Sequence, residues 1–235
     1  SMSGRKWVQL TATVLRSFLG FLYQHGQVTT NLAGAVPAVP GWRLSELPRF
    51  LEAEAVEKLL KCCERSGEHG SRDYAVLLLL ARWGLRASEI VHLNLEDINW
   101  ESGELLIKGK GARIDRLPLM RDVGEALSNY LKNGRPRCSV RRVFIRLIAP
   151  RRGFSSSAVV DFIVTRALIR ANLHPAHRGA HLLRHSLATR MLRGGASLAE
   201  IGEVLRHQQS QTTEIYAKVD FASLRLLAQP WPGGV

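Results

Sequence analysis

From Ser71 to Trp83 the chain is apolar on nearly all sides, and Gly84 follows at once. A helix that is hydrophobic all round belongs in the middle of a core, so the fold must be built around this segment. Its unbroken apolar run, Tyr74 to Ala81, is far below the roughly 20 residues that a membrane span needs. Other segments carry helical periodicity around it. Val8, Leu10, Val14, Leu15, Phe18, Leu19 and Leu22 recur at helical spacing within Trp7–Gln24, and the pattern ends at His25-Gly26, where glycine can terminate a helix. Glu52 to Cys63 is amphipathic, and Ala87 to Leu93 restarts a short helix after Gly84. Ser156–Ala171, His181–Leu192, Leu198–Leu205 and Ala222–Ala228 also read as helices. Leu105, Leu106 and Ile107, then Gly109-Lys110-Gly111, then Ile114, Leu117 and Leu119 predict a hairpin with a glycine turn, and Val143-Phe144-Ile145 offers a third strand. The fold class expected is mainly α with a small antiparallel β-sheet.

Asn31 to Arg43 gathers Gly34, Pro37, Pro40 and Gly41 without periodicity and reads as a linker. A domain boundary near Ser45 follows, which divides the chain into residues 1–44 and 45–235. Charge then narrows the class of partner. Lys and Arg number 33 against 20 Asp and Glu, a formal charge of +13, and such an excess calls for a polyanion. Cys62, Cys63 and Cys138 are odd in number and lack paired metal spacing, so they predict reduced thiols rather than a disulfide framework or a zinc knuckle. With no signal-peptide pattern, the expected location is the cytoplasm, on the nucleoid. Ser1-Met2-Ser3 looks like an expression remnant, so the natural protein is expected to begin upstream.

Arg86 stands in Gly84-Leu85-Arg86-Ala87-Ser88-Glu89, at a turn into a helix start where backbone N–H groups favour anions; the plain alternative is a pairing with Glu89. Lys110, between two glycines at a hairpin tip, can reach a ligand as a proton donor or point charge, or simply be solvated. His181 and His185, one helical turn apart, suggest a zinc pair. The intervening places hold Leu182 and Leu183 where a catalytic Glu is wanted, and no nearby carboxylate completes a ligand set. His181 and Arg184, three apart, share a helix face, a proton carrier beside a fork that grips phosphate. His207 and Tyr216 lie nine apart across a polar turn, which lets the His close one helix and the Tyr ride on the next; a lone Tyr is otherwise an interfacial core residue. Together the six supply a phosphate clamp, proton carriers and a nucleophile, with no carboxylate pair for Mg²⁺.

Their order and spacing resemble the signature of the tyrosine recombinase, or phage integrase, family: Arg86 in Gly-Leu-Arg-x-Ser-Glu, Lys110 in Gly-Lys-Gly, His181-x-x-Arg184, His207 after Leu-x, and Tyr216. The likeness covers about Pro48 to Val219, and Trp7 to Pro40 is similar to the end of that family's helical core-binding domain, at about half its length. Arg206 stands where a glycine is usual, and Lys218 where a second histidine often follows the tyrosine.

The resemblance implies the recombinase catalytic-domain fold and cleavage of double-stranded DNA through a 3′-phosphotyrosine at Tyr216. In that chemistry Arg86 and Arg184 hold the phosphate, His181 moves the tyrosine proton, Lys110 protonates the 5′ oxygen, and His207 hydrogen-bonds the phosphate. It further implies four protomers on two DNA sites and no metal, cofactor or small-molecule substrate. A type IB topoisomerase would share the nucleophile and clamp, and a DNA-binding module could keep the fold without the chemistry. The Gly-Leu-Arg-x-Ser-Glu and Leu-x-His contexts favour the recombinase.

Overall fold

The computed structural model describes residues 2–38, 49–109, 113–207 and 212–219. The chain divides into two compact units, Ser1–Glu46 and Leu47–Val235. In the first, helix α1 (Met2–Gln24) ends where the predicted helix ends. The expected linker contains one turn of 3-10 helix, Leu32–Ala35, opened by Asn31, whose side-chain oxygen accepts from the Ala33 amide at 3.1 Å. Arg16 on α1 donates to the carbonyls of Val36 (3.1 Å) and Pro37 (2.8 Å), which folds that turn back along the helix.

The second unit is built around α3 (Gly67–Trp83), whose Val76, Leu77, Leu79 and Leu80 are fully buried. Against it pack α2 (Ala53–Lys61), α4 (Ala87–His92), α5 (Arg121–Asn129), α6 (Ala158–Arg170) and α7 (Ala180–Arg193). The second turn of α3, Gly70 to Asp73, is buried yet polar, and Arg72 donates twice to the neighbouring Asp73 carboxylate (2.9 and 2.7 Å), so the buried charges are paired. Helix α5 was not foreseen, although Val123, Ala126, Leu127 and Tyr130 fall at 3.6-residue spacing and all four are buried. A π-turn, Tyr130–Gly134, closes it.

A three-stranded antiparallel sheet runs in the order β1 (Ile98–Asn99), β2 (Glu104–Lys108), β3 (Ile114–Pro118). Leu105 pairs with both Ile98 and Leu117, and these buried side chains with Ile107 form its inner face. The hairpin is where the sequence placed it, but the third strand is Ile98–Asn99 and not Val143–Ile145. That segment makes only single bridges, Asn94 with Arg142 and Ile145 with Gly153. Its groups are engaged elsewhere: Arg135 donates to the Val143 carbonyl (3.1 Å) and to the preceding carbonyls of Val140 (2.5 Å) and Arg142 (2.9 Å), and the Val143 amide donates to Leu93 O (2.9 Å), where a ladder would need a neighbouring strand. Residues 222–228, expected to be helical, lie outside the described residues. Among the described residues no helix is long and apolar enough to cross a membrane.

Candidate active site

Gly84 ends α3 in the left-handed conformation (φ +54°), and a Cβ there would meet Leu205 Cδ2 at 2.8 Å. Only glycine combines that turn with so close an approach. The turn sets Arg86 at the N-cap of α4, where the Glu89 carboxylate accepts from the Arg86 backbone amide (2.8 Å) and from its Nη1 (2.6 Å). Arg86 Nη2 donates to the Arg206 carbonyl at 3.1 Å. The plain reading of Arg86, a pairing with Glu89, is therefore present.

Arg184 is 3% exposed, projects from α7 and donates through Nη1 to the Gly84 carbonyl and through Nη2 to the Leu205 carbonyl. Burial, then the charges of Arg86 and Arg206, bring it down to about 10, so it is a cation at neutral pH. The carbonyls of the two helix ends thus aim one guanidinium rigidly.

Helix α8 (Leu198–Val204) stops in a Schellman motif: the His207 amide donates to Gly202 and the Arg206 amide to Glu203, both at 2.9 Å. This motif puts its C′ residue in the left-handed region, and here that residue is Arg206 at φ +55°. For a side chain other than glycine this costs roughly 1–2 kcal/mol. The Arg206 side chain is 5% exposed, donates to Glu89 (3.1 Å), Val204 O (2.8 Å) and Trp83 O (3.4 Å), and leaves its Nε without a partner. Two guanidinium groups, those of Arg86 and Arg206, thereby share one carboxylate. Burial alone would push Glu89 up, but Arg206 and Arg86 outweigh it and hold the carboxyl below its ordinary value.

His207 leaves the same motif with Nδ1 2.7 Å from the Thr213 hydroxyl. Burial, followed by Arg184, Arg86 and Arg206, pushes its imidazole down to about 4, so it is neutral at physiological pH. Arg86, Arg206 and His207, with Lys108 and Arg142, line a cleft of about 810 Å³. Gly109 lines it too, which brings the turn end of the hairpin to the site; Lys110 itself lies outside the described residues.

Tyr216 occupies a 3-10 turn, Glu214–Val219, in place of the helix foreseen for it. It is 1% exposed in a small apolar cluster with Leu187, Ala188, Ile201 and Leu205. Its hydroxyl lies 2.8 Å from Nδ1 of His185, one turn along α7 from His181, and the two rings meet edge to face. Burial raises the tyrosine to about 12 and lowers His185 to about 4. A neutral His185 with its proton on Nε2 accepts from the phenol. His181 faces solvent with its ring centroid 6.2 Å from that of His185; desolvation and then Arg184 lower it.

The structure therefore gathers Arg86, Arg184 and His207 at one place, with Tyr216 on the adjoining layer and His181 at its rim. It adds Glu89, Arg206, His185 and Thr213. The sequence had weighed His185 only as a metal ligand, although its spacing from His181 puts it on the same helix face. For Thr213 no sequence signal exists. Among the described residues no group of three His, Cys, Asp or Glu side chains is placed to hold a metal ion.

Residues 49–223 match the model of the phage integrase family. The integrase/recombinase-named protein y4rA of Sinorhizobium fredii is 50% identical over 96% of this chain and 55% of its own length. A protein named tyrosine recombinase XerC from Caldanaerobacter subterraneus is 34% identical over 90% of this chain and 58% of its own. The chain thus spans little more than half the length of these relatives. Its fold is similar to that of the XerH site-specific recombinase in a post-cleavage complex with palindromic difH substrate (TM-score 0.68, 22% identity, 94% of this chain and 72% of that one). It is likewise similar to a lambda integrase fragment bound as a dimer to a COC′ core site (TM-score 0.63, 20% identity, 97% and 76%).

Proposed function

The chain belongs to the phage integrase family, and we propose on that premise that it is the strand-cleaving part of a site-specific DNA recombinase working through a 3′-phosphotyrosine. The observation that carries this reading is the convergence of Arg86 and Arg206 on the Glu89 carboxylate, with the buried Arg184 held on the Gly84 and Leu205 carbonyls and a neutral His207 beside them. An uncompensated positive floor of that kind, rigidly held, stabilises charge that grows on a phosphate in the transition state.

Arg86 and Arg184 would hold the non-bridging oxygens, and His207 would donate to one of them from Nε2 when Nδ1 accepts from Thr213. Tyr216 Oη attacks phosphorus, the bond from phosphorus to the 5′ oxygen breaks, and the phenolic proton passes to imidazole. His181 was the expected acceptor; His185 already touches the hydroxyl. The departing 5′ oxygen takes its proton from Lys110. Because the ester energy stays in the phosphotyrosine, a 5′ hydroxyl of a partner strand can reverse the step without ATP. Attack requires the Glu214–Val219 turn to shift, since Tyr216 is buried against α7 and α8.

Double-stranded DNA is the partner, in keeping with the +13 charge and with relatives whose solved forms carry recombination-site DNA. The unit before Ser45 would be the end of a helical core-binding domain, and assembly on DNA would be tetrameric. The test is a nicked duplex whose short strand diffuses away on cleavage. The chain should accumulate an adduct that survives boiling in detergent and maps to Tyr216. An adduct on another residue, or none in the full-length protein on its own site, would overturn the reading.

A further inference from the structure

A Schellman C′ position in the left-handed region is one that glycine fills without cost. This chain puts there a buried arginine whose head group makes three hydrogen bonds and whose Nε makes none. Strain and an unsatisfied buried donor at one residue call for a return elsewhere in the site. The contacts say where it lies. Residue 206 holds Arg86 twice: its carbonyl accepts from Arg86 Nη2 at 3.1 Å, and its side chain takes Glu89 Oε2 at 3.1 Å while Arg86 Nη1 takes Oε1 at 2.6 Å.

We infer that Arg206 is a positioning residue for DNA cleavage, one that keeps Arg86 aimed and its positive charge only partly offset by drawing off half of the Glu89 carboxylate. This rests on the strand-cleaving function proposed above. Without Arg206, Glu89 and Arg86 form a closed neutral pair, and the carboxylate turns its full charge on the guanidinium that must face phosphate. With it, the triad keeps a net positive charge on the cleft floor. Arg206 does not touch substrate: its free Nε is buried and its other nitrogens are committed.

Arg206 directly precedes His207, whose imidazole is held down first by burial and then by the charges of Arg184, Arg86 and Arg206. Residue 206 therefore has a second readout, which a purely structural role would not move. Its removal should raise the titration midpoint of the His207 imidazole.

Single-turnover adduct formation on the nicked duplex should be measured for R206G, R206K, E89Q and the R206G/E89Q pair, with duplex affinity, thermal melting and the His207 NMR titration in parallel. R206G relieves the backbone strain and should leave affinity near the parent's while slowing adduct formation by about 10- to 100-fold. R206K, which keeps the cation, should recover part of the rate, and it keeps the question open to measurement if the glycine variant proves unstable. In the E89Q background the loss of Arg206 should have little further effect, because the group it acts through is no longer charged. A parent-like rate and His207 midpoint in R206G, or an equal loss with and without E89Q, would overturn the role. A parent protein that forms no adduct overturns the strand-cleaving function and this role with it, whereas a cleaving parent beside an equally fast R206G removes the role alone.

Discussion

The Tyr216 hydroxyl lies 2.8 Å from His185 Nδ1, inside an apolar cluster and off the cleft that Arg86, Arg206 and His207 line. The hydroxyl is thus held on an imidazole that is neutral, since burial, His181 and Arg184 keep His185 at about 4. Tyr216→Phe should remove the adduct completely while leaving duplex affinity near the parent's. Loss of the buried hydrogen bond should lower stability by about 0.5–1.5 kcal/mol, measurable by urea denaturation. A surviving adduct would move the nucleophile to another side chain.

The same contact gives His185 a role that can be separated from packing. His185→Gln retains a side chain of similar reach but no proton acceptor near neutral pH. It should slow adduct formation more than His181→Gln if the observed contact persists on DNA, and less if His181 replaces it. The paired rates on the nicked duplex decide between them.

Two imidazoles are lowered from 6.5 to about 4, His185 and His207. Between those values the unfolded chain binds protons that the folded chain refuses, so stability rises with pH there. Their contribution is fully present above about pH 6.5 and is lost as pH falls toward 4. Each adds a slope of at most about 1.4 kcal/mol per pH unit, less where solvent reaches the ring. Denaturation midpoints measured across this window should fall with acid, and His185→Gln should flatten the fall.

Gly84→Ala would place a methyl 2.8 Å from Leu205 Cδ2 and 3.2 Å from Leu187 Cδ2 on a residue at φ +54°. Backbone strain and overpacking together should cost about 2 kcal/mol or more. Because the Gly84 carbonyl also accepts from Arg184, adduct formation should fall further than stability predicts. A melting temperature unchanged from the parent's would contradict the packing described.

Cleavage should continue in EDTA. The phosphate clamp proposed above is made of guanidinium groups, and among the described residues no cluster of His, Cys, Asp or Glu is placed for a metal. Complete loss of the adduct on chelation, restored by Mg²⁺ or Zn²⁺, would require a different mechanism.

What the sequence determined by itself is what depends on near neighbours. The core helix, foreseen from Ser71 to Trp83 and beginning one turn earlier at Gly67, its glycine stop, the β2–β3 hairpin and the stacking of His181, Arg184 and His185 on α7 all follow from spacing within a few residues. The order of the six candidate residues carried the family for the same reason, since each sits in a short local context. Helix α5 was equally legible from Val123, Ala126, Leu127 and Tyr130, and its periodicity was simply passed over. Tertiary structure decided the rest. Whether Ile98–Asn99 or Val143–Ile145 joins the sheet depends on which segment has amides and carbonyls to spare, and in the latter Arg135 takes the Val143 carbonyl while the amides of Val143 and Ile145 go to the Leu93 carbonyl and the Tyr130 hydroxyl. His185 meets Tyr216 across 31 positions, and Arg206 meets Glu89 across 117. No periodicity encodes such pairs, because a hydrogen bond is set by the directions of two side chains after the backbone between them has folded. Arg206 is the sharpest case: local physics asks for glycine at its turn, and only the carboxylate brought to it by the fold gives an arginine there something to hold.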